Sequence, residues 1–342
     1  MPLLQFLLLV LLFSSSLAKR KKRHRPPSIV LDSPNGNATT STTIAFTVRN
    51  KRLSTSIKVH FLLNGNLIKA FDSTYFHNRN KRLISMDISN IPRQNKHNVS
   101  VILLNAKTNK VYQTVTKETW FVDDYKTLLH QQFTCPNNTC QRPNNNFAAP
   151  FYASVLNVFS ALELENIRNL TRSKRDLYTD TTVGEIESVN NNYRRTKKLI
   201  AANTPGLMHT IYTTLENVAR TLNEKYWRFH ISALNTTCRS HESLQFLLYN
   251  SNNQGFYDWH MDRGISGSSS KRKLSMTVQL TDSNEYTGGA LEIMTGRDHV
   301  SMPRQAGIVS IFPSYMLHRV SPVLSGSREA IVLWFTGCEG YT

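Results

Sequence analysis

Between residues 28 and 123 the apolar positions recur with period two. The runs are Ile44, Phe46 and Val48; Ile57, Val59, Phe61 and Leu63; Ile84, Met86 and Ile88; and Val99, Val101 and Leu103. Successive side chains on a strand point to opposite faces, so this period marks strands buried on one side. Asn64-Gly65 separates two of the runs, and both residue types accept the positive φ of a tight hairpin turn. No helical period appears in this stretch, which predicts an antiparallel β-sandwich. It contains no cysteine, so no disulfide joins its sheets.

Residues 124–146 have the Asn- and Pro-rich composition of turns and predict a linker. The pattern then changes period. Over 150–172, Val155, Phe159, Leu162 and Ile167 fall at helical spacing and predict a helix. Residues 173–200 are charged and Asn-rich, with 180–195 expected as a loop. Over 205–229, Met208, Ile211, Tyr212, Leu215, Val218, Ala219 and Leu222 form an amphipathic stripe, predicting a second helix. From residue 244 short apolar runs return, at 244–249 and 274–280 and again through 307–313 and 329–335.

The chemistry-bearing residues sit among these last runs. His260 and Asp262 are two apart in an extended stretch, so both can face one metal ion while Met261 points away. His318 follows far downstream, and Arg328 lies ten residues beyond it. Two imidazoles and one carboxylate on one side of a metal leave the other coordination positions open.

With Gly288-Gly289 before a strand, Gly307 to Pro313 before the distal His, and Gly326-Ser327-Arg328 leading into a final strand, the stretch resembles the Fe(II)/2-oxoglutarate-dependent dioxygenases of prolyl 4-hydroxylase type. The resemblance implies a double-stranded β-helix, or jelly roll, over 147–342. It implies iron held by His260, Asp262 and His318, with Arg328 on the distal carboxylate of 2-oxoglutarate. By the same resemblance Tyr249 is the candidate second contact to that carboxylate, with Tyr257 as runner-up, and Ser275 lies near the cosubstrate. Trp259 is expected to face away from the metal, and 264–272 to be a solvated loop or a lid. Ala330 departs from the Arg-x-Ser pattern of some branches of the family. The activity implied is hydroxylation of a peptide or protein substrate with O2, supported by ascorbate. Residues 28–123 loosely resemble the immunoglobulin or fibronectin III accessory domains of secreted enzymes. The expected fold class is therefore mainly β with supporting helices.

Composition adds the setting. Residues 1–18 carry an apolar run too short to span a bilayer, followed by small residues, and read as a secretory signal peptide. No later segment is expected to cross a membrane. Residues 19–27 are a basic tail; six Lys/Arg at 19–25 supply a third of the net charge of +18. It reads as a solvated tail, a proprotein-processing site or a polyanion-binding patch, and nucleic acid is not an expected partner behind a signal peptide. Asn37, Asn98, Asn137, Asn169 and Asn235 begin Asn-x-Ser/Thr sequons. Cys135 and Cys140 could close a small loop and Cys238 could pair with Cys338, although four cysteines allow three connectivities. The expected setting is the ER lumen or the cell exterior. Two other roles stay open: a secreted metal-binding protein without turnover, and an oxygenase acting on a small molecule or glycan.

Overall fold

The computed structural model describes residues 28–33, 38–41, 43–49, 57–71, 81–88, 93–130, 149–181, 190–232 and 241–339. The expected leader and basic tail, Asn37, Asn137, Asn235, Cys135, Cys140 and Cys238 lie outside the described residues. The chain divides into two compact units. One comprises Met1–Leu31, Ala45–Ser85 and Ser100–Thr116, and the other Asp32–Ile44, Met86–Val99 and Lys117–Thr342.

In the first unit the strands Ile57–Leu63 and Asn66–Phe71 pair antiparallel. Asn64 and Gly65 turn between them with φ of 50° and 83°, the left-handed pair that suits the twist of a two-residue hairpin. The period-two residues Phe46, Val48, Ile57, Val59, Phe61, Val101 and Leu103 are all buried. Phe46 and Phe71 meet edge to face, with ring centroids 5.9 Å apart. Two sheet orders involve the strands between Ser28 and Phe121. One is Ser28–Ser33, Thr43–Arg49, Lys81–Asp87. The other is Ala38–Thr39, Val111–Phe121, Asn95–Asn105, Ile57–Leu63, Asn66–Phe71.

The second unit holds nine strands that matter for the site: β1 (Ala153–Leu156), β2 (Lys197–Ala201), β3 (Leu244–Asn250), β4 (Phe256–His260), β5 (Arg272–Gln279), β6 (Leu291–Met294), β7 (Val309–Pro313), β8 (His318–Val320) and β9 (Val323–Thr336). The larger sheet runs Thr179–Asp180, β2, β3, β9, β5, β7, β1, Asp123–Asp124, and Tyr286–Gly288 pairs with β9. The smaller sheet runs Arg194–Arg195, β4, β8, β6, His299–Ser301. One apolar cluster joins residues of the larger sheet (Leu247, Tyr249, Phe312) to residues of the smaller (Leu291, Ile293, Val320). The two sheets thus face each other, the layout of a jelly roll.

The other face of the larger sheet is covered by helices: α1 (Tyr125–His130), α2 (Ala161–Ser173) and α3 (Leu207–Tyr226). The α3 stripe behaves as its spacing predicts. Ile211, Leu215, Val218 and Leu222 are fully buried and cluster with Phe246, Met276, Ile331 and Leu333. The Tyr212 hydroxyl donates to the Ala201 carbonyl and accepts from the Leu244 amide, each at 2.6 Å. One phenol therefore fixes α3 against β2 and β3.

Three local expectations are corrected. Residues 150–159 are not helical, because the apolar ASVL segment is strand β1, paired antiparallel with β7. The helix starts at Ala161, where Ser160 and Glu163 form a capping box that satisfies amides a helix start leaves unpaired. Leu162, assigned to the buried side, is 72% exposed. Residues 197–201, within and just past the charged stretch, form strand β2, and 125–130 are helical where turn composition suggested a linker.

Candidate active site

His260 ends β4, and Asp262 lies in the bend just beyond it. Met261 between them is exposed, so the chain directs the two polar side chains inward as expected. His318 opens β8, and the β4–β8 register places it directly opposite His260. The Nε2 atoms of His260 and His318 lie 3.6 and 3.5 Å from the two oxygens of Asp262. Among the described residues these three form the one cluster of such side chains close enough to hold a metal ion together.

Backbone carbonyls set the tautomers. Nδ1 of His260 contacts the Asp258 carbonyl at 2.7 Å, and Nδ1 of His318 contacts that of Met316 at 2.9 Å. A carbonyl only accepts, so each Nδ1 carries the proton and each Nε2 presents a lone pair to the cluster. Protonation states match. Burial, then the neighbouring His318, pushes His260 down to about 3, leaving it neutral. Burial opposes ionisation of Asp262, but His318, His260 and Arg272 outweigh it and hold the carboxyl below its usual range. Two imidazoles and one carboxylate fit a divalent ion with open positions.

Further contacts fix these ligands. Tyr257 stacks flat on His260, with centroids 3.5 Å apart and planes inclined by 18°. Ser275 is buried beside Asp262 and favours its ionised form, and its Oγ hydrogen-bonds Ser314 Oγ at 3.0 Å. Arg272 donates to the Asp262 backbone carbonyl at 3.0 Å and grips both oxygens of Glu242 at 2.6 Å. Its guanidinium lies over Trp334, 4.0 Å from the ring centre. The residue read as part of a basic loop therefore opens β5 and braces a candidate ligand.

The cavity around this cluster, about 1040 Å³, runs between the two sheets. Arg328 and Tyr249 line it deeper in. They are register partners across β9 and β3, and the guanidinium stands 5.3 Å from the centre of the Tyr249 ring. Arg328 is only 3% exposed, and its buried Nε has no hydrogen-bond partner among the described residues. No ion pair to it is formed by any described acidic side chain. A buried guanidinium is costly unless an anion meets it, so this end of the cavity suits a carboxylate. Gly289 makes room for it: a Cβ there would meet Val323 at 2.8 Å and the Arg328 side chain at 3.3 Å. Thr277 lines the same end. Trp259 faces elsewhere, under the Arg319 guanidinium at 4.7 Å. The loop 264–269 lines the mouth, with Ile265 fully exposed. Ala330 stands opposite Leu247 in the register of β9 and β3.

Several lining residues escape sequence reasoning. Glu242 precedes the first evident core strand, and nothing local pairs it with Arg272. Tyr257 stood second to Tyr249 as a cosubstrate contact, whereas its ring supports His260. Arg194 and Lys198 fall in the stretch read only as charged and Asn-rich, although Arg194, Thr196, Lys198 and Ile200 repeat with the period of a strand.

Comparison with known proteins agrees with this geometry. Residues 244–336 match the family model of the 2OG-Fe(II) oxygenase superfamily. A PKHD-type hydroxylase of Synechococcus sp. (strain CC9311) is 37% identical over 97 residues, 28% of this chain and 44% of that protein. Another, of Teredinibacter turnerae, is 38% identical over 86 residues, 24% of this chain and 38% of that protein. The chain thus spans less than half the length of these curated relatives. Among solved structures, a Pseudomonas putida prolyl-4-hydroxylase aligns with 16% identity and a TM-score of 0.44, covering 54% of this chain and 92% of that one. A prolyl hydroxylase from Trichoplax adhaerens, in complex with a peptide fragment, aligns with 14% identity and a TM-score of 0.46, covering 54% and 83%.

Proposed function

We propose that residues 244–336, which match the family model of the 2OG-Fe(II) oxygenase superfamily, are an oxygenase domain of prolyl hydroxylase type, and that the chain is a peptidyl hydroxylase of the secretory pathway. The observation that carries this reading is the pairing of His260, Asp262 and His318 with the buried Arg328, which has no ion-pair partner among the described residues, at the far end of one cavity. When bound, Fe(II) together with 2-oxoglutarate and oxygen supplies the oxidation of an unactivated C–H bond. The chain's own residues do the rest. His260, Asp262 and His318 would hold the ion from the wall of the cavity. Arg328 would receive the distal carboxylate of 2-oxoglutarate, where guanidinium geometry permits two parallel charge-assisted hydrogen bonds. Tyr249 walls that carboxylate site and keeps water from it. Ascorbate would serve as the accessory reductant.

The secretory setting rests on the leader-like residues 1–18 and on Cys338, which is disulfide-bonded; structural disulfides persist in oxidising compartments. Asn98 and Asn169, the described sequon residues, are both exposed, as glycan acceptors must be. Residues 28–123 supply a sandwich of the immunoglobulin or fibronectin III kind that spaces the enzyme or docks a partner, and the oxygenase region lies within 147–342.

The test is succinate formation from 2-oxoglutarate by the full chain with Fe(II) and O2, with and without Pro-containing peptides. The reading expects peptide-stimulated succinate that disappears in Asp262→Ala. Succinate formation unaltered in that variant would overturn it.

A further inference from the structure

Once the metal ligands, the Arg272–Glu242 pair and Arg328 are assigned, the cavity wall still holds two cations, Arg194 and Lys198. Neither forms an ion pair among the described residues. They reach the cavity for a structural reason. The segment 194–201 passes from the edge of the smaller sheet, where Arg194 pairs with Tyr257, to the larger sheet, where Lys198 pairs with Leu247 and Ile200 with Gln245. Residues paired across strands share a face, and Tyr257, Leu247 and Gln245 all line the cavity. Thr196 between them is buried and bonds the Leu248 carbonyl at 2.9 Å, which fixes the segment.

Arg194 lies over the Tyr257 ring, 4.2 Å from its centre, while Tyr257 stacks on His260. Its Nε is buried without a hydrogen-bond partner among the described residues. Around the two cations the wall is apolar: Ile200, Leu247, Val332 and Trp334, with exposed Met261 and Ile265 at the rim.

We propose that Arg194 and Lys198 bind a carboxylate of the substrate, so that the enzyme selects polypeptide segments bearing an acidic residue close to the one hydroxylated. The proposal rests on the oxygenase reading above. Two observations support it: a cationic strip opens onto the metal cluster with no acidic partner among the described residues, and the apolar rim suits a chain longer than the acidic residue alone. A charge-assisted pair in a partly buried wall contributes enough for about tenfold in affinity.

The test uses the full chain loaded with Mn(II) and 2-oxoglutarate, and the fluorescence anisotropy of labelled peptides of repeated Pro-Asp-Gly, Pro-Asn-Gly or Pro-Lys-Gly. The acidic peptide should bind about tenfold more tightly than the Asn peptide, and Pro-Lys-Gly most weakly. Arg194→Gln combined with Lys198→Gln should erase the difference, while Lys198→Arg should retain it. Equal binding of the Asp and Asn peptides, no peptide binding, or a preference that survives the double change would each overturn the proposal. The carboxylate could instead belong to the cosubstrate, so 2-oxoglutarate affinity is measured in the same variants through the visible band of its Fe(II) chelate. A large loss in the Arg194 variant would assign the carboxylate to 2-oxoglutarate and overturn the proposal. Absence of the band in the wild-type protein would instead count against the oxygenase reading, leaving peptide preference separately measured.

Discussion

Tyr257 lies flat against the face of the His260 imidazole, their ring centroids 3.5 Å apart, while the ring's Nδ1 edge donates to the Asp258 carbonyl at 2.7 Å. Stacking and hydrogen bond together leave the imidazole one orientation. Aromatic pairs contribute about 0.5–1.5 kcal/mol beyond area burial. Tyr257→Leu should therefore weaken Mn(II) binding by about two- to tenfold, whereas Tyr257→Phe should stay near wild type. Calorimetric titration of the metal-free protein with Mn(II) measures both; equal affinities in all three proteins would remove the stack from the account.

Arg272 links Glu242 to the backbone of Asp262. Arg272→Lys keeps a cation but loses the planar fork. It should lower metal affinity by about ten- to a hundredfold, the range seen when a partner behind a ligand is lost. Glu242→Gln should act in the same direction and more weakly, because one oxygen acceptor remains. Affinities from Mn(II) titration, with circular dichroism to confirm folding, check the order.

Acid should destabilise the metal-free protein through the same cluster. The folded state holds His260 down to about 3 against an ordinary 6.5, and Asp262 below its ordinary 3.8. In both cases the unfolded chain binds protons first as pH falls. Stability is thus full above 6.5, declines as pH falls below it, and loses the Asp262 contribution below 3.8. Denaturant melts from pH 7.5 to 4.5 should show the decline, and His260→Gln should flatten it. Mn(II) should move it to lower pH by holding the imidazole unprotonated. A decline identical in wild type and His260→Gln would contradict the assignment.

Much of this was legible in the sequence because the signals are local. Period-two runs found the strands, the α3 stripe found its helix, and Asn64-Gly65 found its turn. The His-x-Asp spacing held even though Asp262 falls just past the strand end, since exposed Met261 still alternates outward. What was not legible depends on register. Tyr249 meets Arg328, and Lys198 meets Leu247, only because β3 pairs with β9 on one side and β2 on the other. Val155 misled for another reason: a short apolar run fits either period. Ser160 and Glu163, a capping box three residues apart, were the local signal that placed the helix start later.

The central claim is that one cavity holds a metal at His260, Asp262 and His318 and a carboxylate at Arg328. The most direct measurement is an anaerobic titration of the Fe(II)-loaded protein with 2-oxoglutarate, following the weak visible charge-transfer band, beside Arg328→Ala. The account predicts a saturable band in the wild-type protein and a much higher 2-oxoglutarate requirement in the variant, with Fe(II) binding retained in both. No band from protein shown to hold iron, or an identical titration in Arg328→Ala, would contradict it.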